Sequence, residues 1–410
     1  MTTLGFTLTC LRCQHVVPAT FPITSEGCPL CSATAPSNFK ATYPIHWNLN
    51  FWHPGTVPSI WRYAAMLPIS PQHQETLGEG LTPLSPLSRL GPALGVPDLM
   101  LKDESRNPTG SHKDRFSAVF ISYARQRGYS TVATASSGNA GASLAAYASK
   151  SGIRCVVATT SDGPRAMSAQ IDAFGATMLP FAQKQDRWRF LAKASVENGW
   201  LIASPFRAPV IGSHPVGIEG YKTLAYELVE QLGGKAPDWC VLPVCYGDAL
   251  AGLWQGFVDL SGLGIINKLP RLVAAEAYGS LAQALFNGRD DVAAVPRSFE
   301  TVAVSIGATQ SSYQALRAIK QSDGIACPLT NLELFEMRSQ LAKTEGVFAE
   351  LSSVASLAAI RRLAMSGQIS SGDTVIAVTT ASGLKDLDFS DSASKPKVVF
   401  RSPQEAMAVL

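Results

Sequence analysis

The sequence predicts an α/β protein built on a mostly parallel sheet covered by helices. Three observations carry that prediction. The chain has 410 residues, more than one compact core usually holds, so two closely joined domains or one large α/β domain with an appendage are expected. It is 46% hydrophobic and 16% charged, against roughly 25% charged for an average soluble domain, which leaves ample material for a core and excludes extensive disorder. From about residue 98 onward, short apolar runs alternate with helical stretches.

Taken in order, the N-terminus Met1 to Cys10 has no basic start before its apolar residues and no small-residue cleavage pattern, so export is not expected. Eight cysteines fall into two kinds. Cys10, Cys13, Cys28 and Cys31 form two C-x2-C knuckles separated by fourteen residues, whereas Cys155, Cys240, Cys245 and Cys327 are scattered. Two such knuckles place four thiolates around one tetrahedral ion, and in a cytosolic chain metal is favoured over disulfide. The expected ion is a structural zinc, because a segment this short cannot bury enough core to fold alone. A metal-free ribbon and a site that touches a partner are the alternatives. Four thiolates would fill the coordination shell, leaving no open position for chemistry.

Residues 33–65 carry no clear period and mix Pro36, Pro44, Pro54 and Pro58 with Tyr43, Trp47, Phe51, Trp52, Trp61 and Tyr63. This reads as an aromatic-rich arm packed across another surface, since proline interrupts regular elements and buried aromatics anchor a segment that has none. Beyond it, strands are expected at Leu99–Lys102, Thr131–Ala135, Arg154–Thr159, Asp238–Val244, Leu272–Glu276 and Thr374–Val378, with helices over Arg115–Arg127 and Ala140–Ser151. The longest apolar stretch, Trp239 to Val258, is interrupted by Pro243, Gly247, Asp248, Gly252 and Gly256, unlike a membrane span of about 20 mostly apolar residues. With 34 basic against 31 acidic residues the net charge is +3, too small to indicate a surface built for nucleic acid. A cytoplasmic protein acting on a small molecule is expected, with neither membrane nor nucleic acid as partner.

In open α/β sheets ligands sit beyond the C-terminal ends of the strands, and four loops of this kind carry chemistry. In Asn107–Arg115 the lysine Lys113 lies at the mouth of a helix, where the dipole disfavours a cation and suits a lysine that loses its charge in a Schiff base. A solvated lysine beside Asp114 is the plainer alternative. Ser136-Ser137-Gly138-Asn139-Ala140-Gly141 opens the next helix and suits a carboxylate or phosphate, or is an ordinary N-cap. Cys245-Tyr246-Gly247-Asp248-Ala249 follows a strand and suits phosphate binding by backbone amides, though its carboxylate and scarce glycine also fit a plain capped turn. Thr379-Thr380-Ala381-Ser382-Gly383 follows the last apolar strand; a hydroxyl there could bond a heteroaromatic nitrogen or cap a helix.

As an ordered set these loops resemble those of the fold type II pyridoxal-phosphate enzymes, and most closely the threonine synthase family. Trp61-Arg62-Tyr63, Leu67-Pro68, Leu77 to Leu84, Leu101-Lys102-Asp103-Glu104, Asn107 to Arg115, Glu219 to Thr223, Glu345 to Glu350 and Gly383 to Asp386 follow that family's pattern. The resemblance covers most of the chain from residue 60 to about 390, and a zinc-ribbon-like segment also occurs in some members. It implies a tryptophan synthase β-subunit-like fold of two three-layer α/β domains with the cofactor in the cleft. The corresponding division is a ribbon-like segment over 1–40, the arm over 41–97, a catalytic region over 98–395 with a smaller domain inserted at roughly 125–215, and a tail over 396–410. A homodimer is implied by the family alone.

Carried over residue by residue, the resemblance implies a Schiff base between Lys113 and pyridoxal 5'-phosphate, with Lys113 also moving the substrate's Cα proton. Asn139 would face the cofactor's 3'-oxygen, and the Ser136, Ser137 and Ala140 amides would receive the substrate carboxylate. Tyr246, Gly247, Asp248 and Ala249, in the 245–249 loop, would cradle the cofactor phosphate, and Thr380 would bond the pyridine nitrogen. The implied activity is that of a carbon–oxygen lyase acting on phosphates, converting O-phospho-L-homoserine to L-threonine and phosphate. The chain departs from the family at His112, where phenylalanine is usual, and at Cys245–Ala249, where a glycine- and asparagine-rich loop is usual. Lys184, Arg187 and Arg189 could pair with a substrate phosphate or form a solvated helix face. If Asp248 reached the substrate side chain it would favour an ammonium over a phosphate. Elimination or replacement at the β-carbon of diaminopropionate, phosphoserine or a serine derivative is therefore a second reading, and a non-catalytic paralogue binding a partner through the ribbon is a third.

Overall fold

The computed structural model describes residues 5–43, 56–161, 163–387 and positions 405 and 407. The arm aromatics Trp47, Phe51 and Trp52 and nearly all of the 396–410 tail lie outside them. The chain begins with β1 (Thr7–Cys10), β2 (Val16–Pro18) and β3 (Phe39–Thr42), an antiparallel sheet of order β2-β1-β3. Its turns gather the sulfurs of Cys10, Cys13, Cys28 and Cys31 within 4.8 Å of one another. Cys10 and Cys31 are 3.9 Å apart and Cys13 and Cys28 3.6 Å, close to the roughly 3.8 Å that follows from a tetrahedral ion with metal–sulfur bonds of about 2.3 Å. The donor set therefore fits a metal ion.

The ribbon is welded to the rest of the molecule. Phe6, Leu8, Val17, Phe39 and Ala41 share one apolar cluster with Trp61 and Tyr63 and with Leu224, Leu228, Leu253 and Phe257. Burying each large apolar side chain contributes roughly 1.5–3 kcal/mol, so the ribbon and the body stabilise each other. The described part of the arm is held by side-chain hydrogen bonds to the body. Trp61 Nε1 donates to the Glu75 carbonyl at 2.8 Å, and Arg62 and the Tyr63 hydroxyl both bond Glu230. The arm then adds strand β4 (Leu84–Pro86) to the edge of the main sheet before the short helix α1 (Leu90–Ala93), strand β5 (Leu99–Asp103) and helix α2 (Lys113–Gln126).

The smaller unit follows as β6 (Thr131–Ala135), α3 (Asn139–Lys150), β7 (Arg154–Thr160), α4 (Arg165–Ala173), β8 (Thr177–Phe181), α5 (Lys184–Asn198) and β9 (Leu201–Ile202). Its parallel sheet has the order β8-β7-β6-β9. Helix α3 is alanine-rich, which favours the helix and allows close approach to α2. The chain then returns through α6 (Pro215–Ile218), α7 (Lys222–Gln231), β10 (Trp239–Pro243), α8 (Asp248–Gly262), β11 (Arg271–Glu276), α9 (Ser280–Phe286), α10 (Tyr313–Gln321), β12 (Ile325–Pro328), α11 (Asn331–Glu345), α12 (Ala355–Met365) and β13 (Val375–Thr379). These strands complete a six-stranded sheet of order β12-β11-β10-β13-β5-β4, parallel except at β4. The expected strands and helices lie within a residue or two of these bounds. None of the described helices is long and apolar enough to cross a membrane.

A buried ionic cluster fixes α2 to this frame. Arg115, fully buried, bonds Glu104 at 2.7 Å and Glu227 at 2.6 Å, while Lys102 bonds Glu227 at 2.8 Å. Two cations face two carboxylates, and Thr82, Thr223 and Gln231 bond the remaining positions. Breaking one partner of such a buried set costs about 3–5 kcal/mol. The first turn of α2 is thereby held two residues from the anchor.

Candidate active site

The loops after β5, β6, β10 and β13 all leave the C-terminal ends of parallel strands and meet at the cleft between the two sheets. The lysine loop is stitched to the loop after β13. His112 N donates to the Thr380 carbonyl at 2.9 Å, Ser382 N to the Gly110 carbonyl at 3.1 Å, and Ser111 bridges Ala381. Gly110 has φ +77° and a Cβ there would lie 3.1 Å from Lys385 Cε, so the turn requires glycine. Lys113 stands at the first position of α2, half-exposed, with no ion pair to a described carboxylate and its ammonium 5.8 Å from the Tyr221 ring centre.

Lys113, Ala140 and Asp248 line one open cleft of about 330 Å³, counting its mouth, with Thr134, Ser204, Ser213 and Tyr221. The sequence-predicted loops after β5, β6 and β10 therefore converge. Asn139, 6% exposed, donates from Nδ2 to Glu350 Oε2 at 2.8 Å, and its Oδ1 is buried without a partner. Ser111 Oγ, on the lysine loop, is likewise buried and unpartnered. Buried polar atoms normally find partners, so these two mark where a polar group of a bound molecule belongs. Glu350 also accepts from Ser305 Oγ, which fixes its carboxylate behind Asn139.

The Ser136–Ala140 turn is arranged differently from the expectation at one residue. The Ser136 amide donates to the Ala158 carbonyl at 3.1 Å, continuing the sheet, and its hydroxyl accepts from Gly138 N and Gly141 N. Sheet pairing thus removes Ser136 from the amides that could receive a carboxylate, and Ser137 and Ala140 remain. Ser137 Oγ is hydrogen-bonded to Thr160 Oγ1 at 2.8 Å and lies 3.4 Å from Arg187, a 5% exposed arginine of α5. Lys184 and Arg187 also bear on the next loop: the Lys184 charge opposes the burial that raises the Cys245 thiol, and the Arg187 charge opposes the burial that raises Tyr246. Arg189 is turned to solvent and pairs with Asp186 at 2.8 Å.

At the 245–249 turn, Gly247 adopts φ +81° and a Cβ would meet Ala315 at 2.2 Å, so only glycine allows the backbone to lie against α10. The turn presents the N-terminus of the 15-residue helix α8, whose first amides point along the dipole and suit an anion. The Asp248 carboxylate accepts from Ser213 N at 3.0 Å, Ser213 Oγ at 2.7 Å and Gln314 Nε2 at 2.6 Å. These bonds solvate the negative charge with three neutral donors and hold the carboxylate in place at the wall of the cavity.

Thr380 is buried, with its hydroxyl 2.9 Å from Ser353 Oγ. His112 Nδ1 lies 3.1 Å from the Thr380 carbonyl, and burial, then the Lys113 charge, hold this imidazole well below its usual range, hence neutral. Lys385 donates to Gln170 Oε1 at 2.7 Å, and Gln170 Nε2 donates to the Thr109 carbonyl at 3.3 Å, tying α4 of the smaller unit to the lysine loop. Burial lowers Lys385 to about 8 against the pull of Asp114 and Glu350. Ser305, Ser353, Ser213, Gln314 and Gln170 carry no motif and are legible only in three dimensions. Glu350 and Lys385 lie within stretches whose pattern is visible in the sequence.

Comparison with known proteins bears on this geometry. A family described as pyridoxal-phosphate dependent enzyme matches residues 75–381. The chain is 34% identical over 351 residues to a threonine synthase of Methanocaldococcus jannaschii, covering 83% of this chain and 84% of that protein. It is 36% identical to a threonine synthase of Methanosarcina acetivorans, covering 80% of each, and 37% identical to one from a Bacillus species, covering 82% of this chain and 92% of that protein. Among solved structures, maize serine racemase superposes with a TM-score of 0.63 at 22% identity, covering 74% of this chain and 88% of that one. O-ureido-L-serine synthase superposes with 0.62 at 20% identity, covering 80% and 96%. At these identities the superpositions speak to the fold.

Proposed function

The chain belongs to the pyridoxal-phosphate-dependent enzymes of the threonine synthase family, and from that premise we propose that it converts O-phospho-L-homoserine and water to L-threonine and phosphate. The observation that carries this reading is the convergence of an unpaired Lys113, an Asn139 with an orphaned oxygen and the α8 N-terminus on one cleft. These groups fit pyridoxal 5'-phosphate: Lys113 for its aldehyde carbon, Asn139 for its 3'-oxygen, Thr380 for its ring nitrogen, and Tyr246 to Ala249 for its phosphate. When bound, the cofactor supplies an electron sink that acidifies the Cα–H of an attached amino acid.

The chain's own residues divide the remaining work. Lys113 takes and returns protons at the substrate's carbons, a role suited to an amine without a carboxylate partner. The Ser137 and Ala140 amides, at the N-terminus of α3, receive the substrate carboxylate. Arg187, buried against Ser137, with Lys184 near it, pairs with the substrate's phosphate through charge-assisted bonds. The Thr380 hydroxyl, 2.9 Å from Ser353 Oγ, would donate its one proton toward the ring nitrogen; a neutral hydroxyl leaves that nitrogen unprotonated, which tempers the sink and favours elimination over transamination. The Gln170 contact with Lys385 and Thr109 closes α4 over the cleft and limits the entry of water.

In the ribbon, the four thiolates would hold a structural zinc with no open coordination position. The reading carries with it a cytoplasmic homodimer, which cell fractionation and sedimentation check. The test of the function is phosphate release and threonine formation from O-phospho-L-homoserine by the cofactor-loaded enzyme. Lys113→Ala is expected to lose both products together with the visible absorption of the bound cofactor. Equal activity in that variant would sink the assignment of Lys113.

A further inference from the structure

A second cleft lies against α8, between the ribbon and the body. It encloses about 410 Å³ counting its open mouth, and its wall includes Leu11, Lys40, Trp254, Gln255, Gln314 and Arg317. Lys40, from β3, and Arg317, from α10, are both half-buried there. Among the described residues neither side chain forms a hydrogen bond or an ion pair. Burial, and for Lys40 also the Arg317 charge, disfavour the charged state of both.

The carboxylates that could neutralise them are engaged. Glu219 and Asp259 both bond Lys222 at 2.8 Å. Glu219 further accepts from Tyr43 Oη, and Asp259 from Tyr226 Oη and Gln255 Nε2. Around the cleft three cations therefore face two carboxylates, and the excess charge sits on the two side chains without partners. Desolvating like charges is unfavourable unless a counter-charge joins them.

The walls of the cleft are fixed by the ribbon's docking on α10. Arg12 lies over the Tyr313 ring at 3.6 Å, and Asn38 Nδ2 donates to Gln314 Oε1 at 3.3 Å. Arg317 follows one helical turn after Tyr313 and Gln314, on the same face. We propose that this cleft is a second ligand site, in which Lys40 and Arg317 together hold the phosphate or carboxylate group of a small molecule. The planar guanidinium suits either oxyanion in bidentate fashion, and the ammonium adds a point charge. Gln314 also donates at 2.6 Å to Oδ1 of Asp248, the first residue of α8 and part of the catalytic cavity's wall, so one hydrogen bond joins the walls of the two clefts. An effect of the ligand on cofactor binding is then matched by an equal effect of the cofactor on the ligand.

Equilibrium dialysis of the cofactor-loaded enzyme with labelled inorganic phosphate, and separately with labelled malonate at constant ionic strength, tests the site. The wild type is expected to bind at least one of the two oxyanions in a step that Lys40→Met and Arg317→Met each weaken at least tenfold. Binding in the catalytic cavity is common to all three proteins and is unaffected. The oxyanion that responds identifies the ligand as phosphate- or carboxylate-bearing. If Arg317→Met loses the cofactor's visible absorption through misfolding, Lys40→Met decides alone, and Arg317→Lys should retain the step. Identical isotherms in the wild type and both methionine variants, or no binding of either oxyanion to the wild type, overturn the proposal.

Discussion

At the scale of single residues, the same side-chain type acquires different roles from its surroundings. Lys102 is locked between Glu227 and Gln231, and Lys385 is tied to the neutral amide of Gln170, whereas among the described residues Lys113 forms neither an ion pair nor a side-chain hydrogen bond. Arg187 and Arg189 are two positions apart, but the helix turns one into the cleft and the other into water. Arg187→Met is therefore expected to raise KM for the phosphorylated substrate by about 10- to 100-fold, the loss of a charged hydrogen bond worth about 1.5–3 kcal/mol, with the cofactor's absorption intact. Unchanged steady-state kinetics in that variant would exclude Arg187 from substrate binding. The departures seen in the sequence at His112 and Asp248 find physical accommodation. His112 is kept neutral against Thr380, and the Asp248 carboxylate is held by Ser213 and Gln314.

At the scale of elements, α2 presents Lys113 because Arg115, two residues on, is clamped by Glu104, just after β5, and by Glu227 of α7. Burial pushes the Glu227 carboxyl up, but the Arg115 and Lys102 charges and hydrogen bonds outweigh it and bring it down to about 2. An unfolded Glu titrates near 4.3, so the contribution of Glu227 is fully present above about pH 4.5 and is lost as the pH falls toward 2, about 3 kcal/mol in all. The urea midpoint should fall between pH 5 and pH 3, and Glu227→Gln should lower it at pH 7 while flattening its decline. A variant with the wild-type slope would show that other carboxylates govern acid lability. The strands and the loops at their C-terminal ends were legible in the sequence, because apolar runs alternate with helices and ligand loops follow strands in a parallel sheet. Ser136 misled for a local reason: an amide next to a strand end can extend the sheet, as it does to Ala158. Ser213, Ser305, Ser353 and Gln314 were illegible because their roles depend on neighbours many residues away.

At the scale of the whole molecule, the ribbon, the arm and both sheets share contacts, so the N-terminal segment is part of the enzyme body. The ribbon's core residues join those of α7 and α8, and Asn38 reaches Gln314 beside the active-site turn. Removing the zinc proposed for it with a chelator, or replacing Cys28 by Ser, should lower the melting temperature and weaken cofactor retention together, measured by thermal melts and visible absorption. Loss of zinc by elemental analysis with an unaltered melt would separate the ribbon from the stability of the body. The central claim is that the assembled cleft cleaves the substrate's carbon–oxygen bond and adds water to carbon. The most direct measurement is the reaction of O-phospho-L-homoserine in H2¹⁸O, with both products read by mass spectrometry. The account predicts threonine carrying one ¹⁸O at its β-hydroxyl and phosphate carrying none from the cleavage. Homoserine with ¹⁸O-labelled phosphate, or a keto acid in place of threonine, would contradict it.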